Sequence, residues 1–239
     1  MKIKLSLLII ASVFFLSACS KENSSEALNS AKQADVEQTE TKSTESLSNK
    51  TSSMAKKPSI TYKENVHYKV VKNIDIADVN PPMLVEYFWL GCPHCYNFEA
   101  ILAHLHSELP ELKVLKKPAA FNDRWALDAK VFHALKEMEQ LQHLSALFEL
   151  YHSNNNALSK EALNNFLLAN QIDSDTFFEL LKNSDVINQR IVQSINEMHE
   201  NEIKGVPAVV VNGKYLILAS DDIRSADDYL ALVRYLLEK

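Results

Sequence analysis

The chain has 239 residues, a formal net charge of −6 and a hydrophobic fraction of 46%. This length suits one sizeable domain with additional segments, and the acidic balance argues against nucleic-acid binding. The chain has three cysteines, Cys19, Cys92 and Cys95, which is too few for a disulfide framework. We therefore expect its stability to come from an ordinary apolar core.

The first residues resemble a bacterial export signal. Two lysines precede an apolar run from Leu5 to Leu16, which is too short to span a bilayer. The following Leu-Ser-Ala-Cys resembles the lipobox of bacterial lipoproteins, which implies that residues 1–18 are removed and that Cys19 is acylated. The alternative is an ordinary secretory signal with an incidental cysteine. Either interpretation places the mature protein outside the cytoplasm, where disulfides persist.

The next segment is polar. Residues 20–57 are rich in Ser, Glu, Lys, Asn and Thr, and the sequence has no aromatic residue between Phe15 and Tyr62. Such a segment cannot bury enough surface to offset its conformational entropy. We expect residues 19–57 to be the acylated cysteine with a disordered stalk, whose reach is about 35 Å, and residues 58–239 to be the folded domain.

Short apolar runs predict the strands of this domain. The second run is almost uniformly apolar, as expected of a strand buried on both faces of a sheet. Asn212-Gly213 predicts a hairpin turn between the last two runs. The predicted strands are residues 68–71, 83–89, 112–116, 208–211 and 215–218.

Helical periodicity predicts the remaining elements. One helix begins at Pro93 and ends before Pro110, and a last helix begins at Ala226 behind a Ser225 cap with Asp228 in its first turn. Between them, a helical block at about residues 123–200 carries apolar stripes that we expect in the core. Two of these stripes are Leu127, Val131, Leu135 and Met138, and Ile187, Ile191, Ile195 and Met198. The order of elements predicts an α/β domain with a helical insertion.

The second predicted strand runs into Cys92-Pro93-His94-Cys95. Two cysteines at this spacing can close a disulfide within one turn, which makes redox chemistry possible. A zinc site needs about four ligands and the sequence offers no second pair, so we predict no metal. Haem attachment needs a histidine where Tyr96 stands, and a purely structural disulfide this tight would stabilise little chain. We place five other histidines on solvated faces: His67, His133, His143, His152 and His199.

At this point residues 60–239 resemble the thiol:disulfide interchange protein DsbA family of the thioredoxin superfamily. The resemblance rests on Glu-x-Phe-x-x-x-Cys-Pro-His-Cys-Tyr-x-Phe-Glu, placed within residues 86–99, and on Gly-Val-Pro-Ala with Val-Asn-Gly-Lys-Tyr at 205–208 and 211–215. It implies a thioredoxin fold with an inserted all-helical subdomain. Residues 112–124 resemble the family only loosely, and the lipobox and stalk depart from its free periplasmic archetype.

The resemblance implies roles for the motif residues. Cys92 would be the nucleophile and Cys95 the resolving thiol, and their redox-active disulfide would replace any other cofactor. A helix N-terminus and His94 both favour a thiolate at Cys92, and a stabilised thiolate makes the disulfide more oxidising. Pro93 and His94 together would set the local charge.

Three further residues gain expected roles from the same resemblance. Glu86 would be a buried acid that helps to move protons during exchange; the alternative is a strand residue that faces solvent or pairs with a lysine such as Lys116. Pro207 would follow Val206 through a cis peptide bond, and this loop would present backbone groups to an extended substrate.

The expected function is a monomeric dithiol oxidase of the bacterial periplasm that acts on unfolded or reduced exported proteins. A DsbB-like membrane quinone reductase would restore its disulfide, and the short stalk then favours a lipid anchor in the inner membrane over the outer one. Two alternatives stay open: a tethered disulfide reductase or isomerase, and a non-catalytic chaperone for unfolded envelope proteins.

Overall fold

The computed structural model describes residues 60–76, 79–155 and 158–239. The predicted signal, the predicted acylation site Cys19 and the predicted stalk lie outside the described residues. The strands are β1 (Tyr68–Val70), β2 (Met83–Phe88), β3 (Lys113–Pro118), β4 (Ala208–Val211) and β5 (Tyr215–Ile217). The helices are α1 (Pro93–Glu108), α2 (Asp123–Glu137), α3 (Leu144–Ser153), α4 (Lys160–Ala169), α5 (Ser174–Asn183), α6 (Asp185–Glu200) and α7 (Ala226–Leu237), with a 3-10 turn at Leu141–His143.

The strands form one mixed sheet in the order β1-β5-β4-β2-β3. β2 pairs parallel with β3 and antiparallel with β4. Every residue of β2 is buried, which confirms the two-sided burial predicted from its apolar sequence. Because successive side chains in a strand point to opposite faces, Glu86 and Tyr87 lie on different sides of the sheet.

Three apolar clusters connect the sheet to the helices. On one face, α1 and α7 pack on the sheet through side chains such as Leu102 and Val233. The opposite face packs against Met198 of α6. The helical insertion has its own core, built around Phe132 and Phe148, which continues to Phe88 at the end of β2. The end of β2 is therefore packed directly against the insertion.

The helices α2 to α6 all lie between β3 and β4 in the chain. This arrangement agrees with the expected helical insertion in an α/β domain.

Capping residues set the first residues of two helices, α2 and α7. Asn122 caps α2 through a hydrogen bond to the Trp125 N–H, and the predicted capping box of Ser225 and Asp228 is present at the start of α7.

Two residues of the predicted apolar stripes are exposed. Leu127 is 49% exposed and Ile195 is 39% exposed. Each step of four residues advances about 40° around a helix of 3.6 residues per turn, so a stripe of i, i+4 and i+8 drifts by about 80°. The drift places Leu127 at one edge of the first stripe and Ile195 at one edge of the second, and both edges face away from the core.

The placement of the five histidines on solvated faces was also wrong for two of them. His67 is buried, accepts a hydrogen bond from the Lys63 N–H and lies 3.1 Å from the carboxylate of Asp222. His133 is buried on α2, and neither ring nitrogen has a hydrogen-bond partner among the described residues. Both positions depend on tertiary contacts that periodicity does not report.

Candidate active site

The Cys-Pro-His-Cys motif lies where the chain passes from β2 into α1. Cys92 is the N-cap of α1, and Pro93 occupies its first turn, as the sequence predicted. Cys92 is 8% exposed, whereas Cys95 is fully buried. Both are free thiols in this structure. Cys92 is therefore the more accessible of the two thiols.

The Cys92 sulfur is the focus of several donors. The hydrogen bond from the Cys95 side chain has the largest effect on the pKa of Cys92. Hydrogen bonds from the backbone N–H groups of Cys95 and His94 and the charge of His94 lower this pKa further. The Cys95 N–H lies 3.4 Å from the sulfur. These groups lower the pKa of Cys92 from 9.0 to about 6, although burial opposes the change. The sulfur is thus prepared to be a thiolate near neutral pH.

Cys95 behaves in the opposite way. Its thiol donates to Cys92, and this bond together with burial raises the pKa of Cys95 well above its ordinary value. Above the pKa of Cys92, the reduced pair therefore keeps its remaining proton on Cys95. The difference between the two pKa values therefore favours a thiolate at Cys92 and a protonated thiol at Cys95.

The loop before β4 faces the Cys92 sulfur. The Val206–Pro207 peptide bond is cis, as the resemblance implied. The Cys92 thiol lies 3.7 Å from the carbonyl oxygen of Val206. β4 pairs antiparallel with β2, and Ala208 lies opposite Tyr87, so the start of β4 meets the end of β2. Sheet pairing brings these distant segments together.

A buried carboxyl group lies on the same strand as the motif. Glu86 has no exposed surface, and its side chain accepts a hydrogen bond from Lys116, the residue opposite it on β3. The Lys116 ammonium also lies 2.6 Å from a Glu99 oxygen. Burial of Glu86 and its pairing with Lys116 were alternatives on sequence grounds, and the structure has both.

Burial dominates the ionisation of Glu86. It raises the pKa of the carboxyl from 4.5 to about 7, against the opposing effect of Lys116, and the charges of Glu99 and Cys92 raise it further. The other oxygen, Oε1, is buried and finds no hydrogen-bond partner among the described residues. Glu86 is therefore a carboxyl group that can exchange a proton near neutral pH and that senses the charge on Cys92.

Sequence reasoning missed two groups beside the motif. Asp128 of α2 accepts a hydrogen bond of 2.8 Å from the Trp89 indole. Tyr96 stacks on His152 of α3, with ring centroids 4.6 Å apart. Both partners come from the helical insertion, and no local pattern connects them to the motif.

The described residues, 60–76, 79–155 and 158–239, contain no group of three or more metal-ligating side chains. Within the same ranges, no helix combines the length and apolar character needed to cross a bilayer.

Comparison with known proteins identifies the family. Residues 124–231 match the model of the DSBA-like thioredoxin domain. The chain is 34% identical to thiol:disulfide interchange protein DsbA of Pseudomonas aeruginosa over 163 residues, which is 65% of this chain and 74% of that protein. It is 32% identical to DsbA of Azotobacter vinelandii over 174 residues, which is 70% of this chain and 78% of that protein.

The structural comparison agrees. The crystal structure of Pseudomonas aeruginosa DsbA superimposes with a TM-score of 0.61 at 28% identity, covering 74% of this chain and 93% of that one. The mixed sheet with a helical insertion is thus the thioredoxin fold in its DsbA form, which confirms the expected fold class. The chain therefore belongs to the DsbA family and is a thiol:disulfide oxidoreductase.

Proposed function

We propose that this protein is a dithiol oxidase of the bacterial envelope that introduces disulfide bonds into exported proteins, with Cys92 as its nucleophile. The observation that carries the proposal is the opposite ionisation of the two thiols: the pKa of Cys92 is lowered to about 6, and that of Cys95 is raised. A stabilised Cys92 thiolate stabilises the reduced protein, which makes its disulfide a stronger oxidant; DsbA proteins are themselves a standard example of this relation.

The exchange follows from this asymmetry. In the oxidised protein, a substrate thiolate attacks the Cys92 sulfur, a mixed disulfide forms, and the Cys92–Cys95 bond breaks. Cys95 leaves with the electron pair and takes up a proton. A second substrate thiolate then attacks the substrate sulfur of the mixed disulfide and releases Cys92 as a thiolate. The substrate loses two electrons and two protons; one proton stays on Cys95 and the other reaches solvent.

Glu86 is proposed as the group through which a proton reaches Cys95 or leaves it. Its carboxyl has a pKa of about 7, so it can hold or release a proton near neutral pH. The charge of Glu86 also raises the pKa of Cys95, which places the two groups within electrostatic reach of each other. Lys116 limits how far the pKa of Glu86 rises, since it favours the ionised form.

The substrate is proposed to bind along the loop before β4. The Val206 carbonyl already lies within reach of the Cys92 sulfur. An extended peptide that pairs with the backbone at Val206 and Pro207 would present its cysteine to that sulfur, in the manner of β-strand addition. The backbone would then supply affinity for many sequences, as an enzyme with diverse exported substrates requires.

The lipobox-like sequence and the family resemblance support a location and a redox partner for the protein. A lipid on Cys19 and the stalk would hold the domain within about 35 Å of a membrane. A DsbB-like quinone reductase in the inner membrane would reoxidise the Cys92–Cys95 pair, which favours a bacterial periplasmic domain anchored to the inner membrane. Membrane fractionation of the wild type and of Cys19→Ser tests this: the wild type should fractionate with the inner membrane, and outer-membrane residence would contradict the partner.

Redox titration against glutathione tests the oxidase. We expect the Cys92–Cys95 pair to be poised toward the oxidising end of the thioredoxin superfamily, and Cys92→Ser to abolish oxidation of a reduced, unfolded protein. Cys95→Ser should instead accumulate mixed disulfides between Cys92 and the substrate. A poise close to that of thioredoxin would indicate a reductase or isomerase, and full activity of Cys92→Ser would indicate a chaperone.

A further inference from the structure

The backbone of Trp89 contacts both cysteines. Its carbonyl accepts a hydrogen bond of 3.0 Å from the Cys92 N–H. A backbone hydrogen bond from Trp89 also acts on the Cys95 thiol. The position of Trp89 therefore determines where the turn from Trp89 to Cys92 holds the reactive sulfur.

The side chain of Trp89 is fixed from the helical insertion. The indole stacks on Trp125 of α2, with ring centroids 4.3 Å apart and an angle of 11° between the planes. The indole N–H donates to Asp128 Oδ2 at 2.8 Å. Stacking alone leaves a ring free to slide in its plane, whereas the hydrogen bond to a charged acceptor sets its position along that plane.

Asp128 is itself rigidly held. It is 2% exposed, and its carboxylate also accepts hydrogen bonds from Arg124 Nε at 3.0 Å and from the Tyr151 hydroxyl at 2.8 Å. Three donors, one just after β2, one on α2 and one on α3, thus converge on one buried carboxylate. Burying a carboxylate costs free energy unless its oxygens accept hydrogen bonds. The three donors offset that cost and hold the Asp128 side chain in place.

We propose that Asp128 is a positioning residue for thiol–disulfide exchange, because through the Trp89 indole it fixes the turn that carries Cys92. The helical insertion would then influence the pKa of Cys92 and the redox equilibrium of the Cys92–Cys95 pair, in addition to packing beside them. The hydrogen-bond partners of Asp128 are Trp89, Arg124 and Tyr151 and neither cysteine, so its effect would reach the sulfur through the backbone of Trp89. This inference rests on the proposed role of Cys92 as the nucleophile.

The effect of losing Asp128 can be derived from the contacts of the sulfur. The N–H groups of His94 and Cys95 stabilise a Cys92 thiolate only while the sulfur lies in front of them. Charge-assisted hydrogen bonds weaken with small changes of distance and angle. A looser turn should therefore raise the pKa of the Cys92 thiol and shift the redox equilibrium toward the disulfide.

The test compares three variants of the full chain: Asp128→Asn, Trp89→Phe and Tyr151→Phe. Asp128→Asn leaves the indole only a neutral amide oxygen as acceptor, while Trp89→Phe removes the hydrogen bond and keeps an aromatic ring against Trp125. Tyr151→Phe is the matched control, because it removes another hydrogen bond of Asp128 and leaves the indole bond in place. The readouts are the thiolate pKa from ultraviolet absorbance, the equilibrium constant with glutathione and the melting temperature.

We expect Trp89→Phe to raise the pKa of Cys92 by about 0.5 or more, which is a threefold or larger change in the thiolate equilibrium. Asp128→Asn should raise it by a smaller amount, because a neutral acceptor holds the indole less firmly. Tyr151→Phe should lower the melting temperature and leave the pKa of Cys92 unchanged. The proposal is overturned if Trp89→Phe keeps the wild-type pKa, or if Tyr151→Phe shifts it equally. Trp89→Phe decides the question if Asp128→Asn does not fold. A wild-type Cys92 without a low pKa would instead contradict the proposed function.

Discussion

Replacing Glu86 by glutamine should change how the stability of the reduced protein depends on pH. The carboxyl has a pKa of about 7 in the folded protein against an ordinary value of 4.5. The folded state therefore binds this proton more tightly than the unfolded state does. Protonation of Glu86 contributes stability that is fully present below pH 4.5 and is lost as the pH rises through about 7.

The magnitude follows from the size of that change. At ~1.4 kcal/mol for each pH unit, a rise from 4.5 to about 7 corresponds to a loss of about 3 kcal/mol by pH 8 or so. Glu86→Gln has no carboxyl to ionise and should not show this loss. Lys116 keeps a partner in the variant, because Glu99 lies 2.6 Å from its ammonium.

Urea unfolding of the reduced wild type and of Glu86→Gln, at about pH 4.5 and about pH 8, measures the difference. We expect Glu86→Gln to gain about 3 kcal/mol of unfolding free energy relative to the wild type between these two conditions. Glu99→Gln is the control and should keep most of the wild-type pH dependence, since Glu86 stays buried. Parallel pH dependence in the wild type and in Glu86→Gln would refute the reasoning.

Three other changes have expected outcomes. Lys116→Met leaves the Glu86 carboxylate without its cation and should cost about 3–5 kcal/mol near pH 8 in urea unfolding, and much less near pH 4.5; an equal cost at both values would contradict the pairing. His94→Ala removes a charge and keeps a backbone N–H, so the pKa of Cys92 should rise only part of the way from about 6 toward 9.0 by thiolate absorbance; no rise would exclude a charge effect. Leu147→Ala opens a cavity in the insertion and should cost about 2–5 kcal/mol, with thiolate absorbance unchanged.

Local sequence signals predicted the elements that carry the motif. The apolar run from Met83 to Trp89, the proline at the first helical position and the Asn-Gly turn act over a few residues, so their effect does not depend on the rest of the chain. The predicted strand ends differ from the observed ones by one or two residues, because fraying and hydrogen-bond criteria decide the last residue. Two family motifs likewise indicated the fold.

The sequence by itself determined that a cysteine pair begins a helix after a buried strand, since each of those features depends on neighbouring residues. Only the tertiary structure decided what surrounds the pair. Val206 is 114 residues from Cys92, and Asp128 is 39 residues from Trp89. Such partners meet because antiparallel pairing of β2 with β4, and packing of the helical insertion on the end of β2, place them there. Burial of Glu86 has the same origin: the sheet and helices around it remove water from the carboxyl, and that loss of solvation gives it a pKa near neutral.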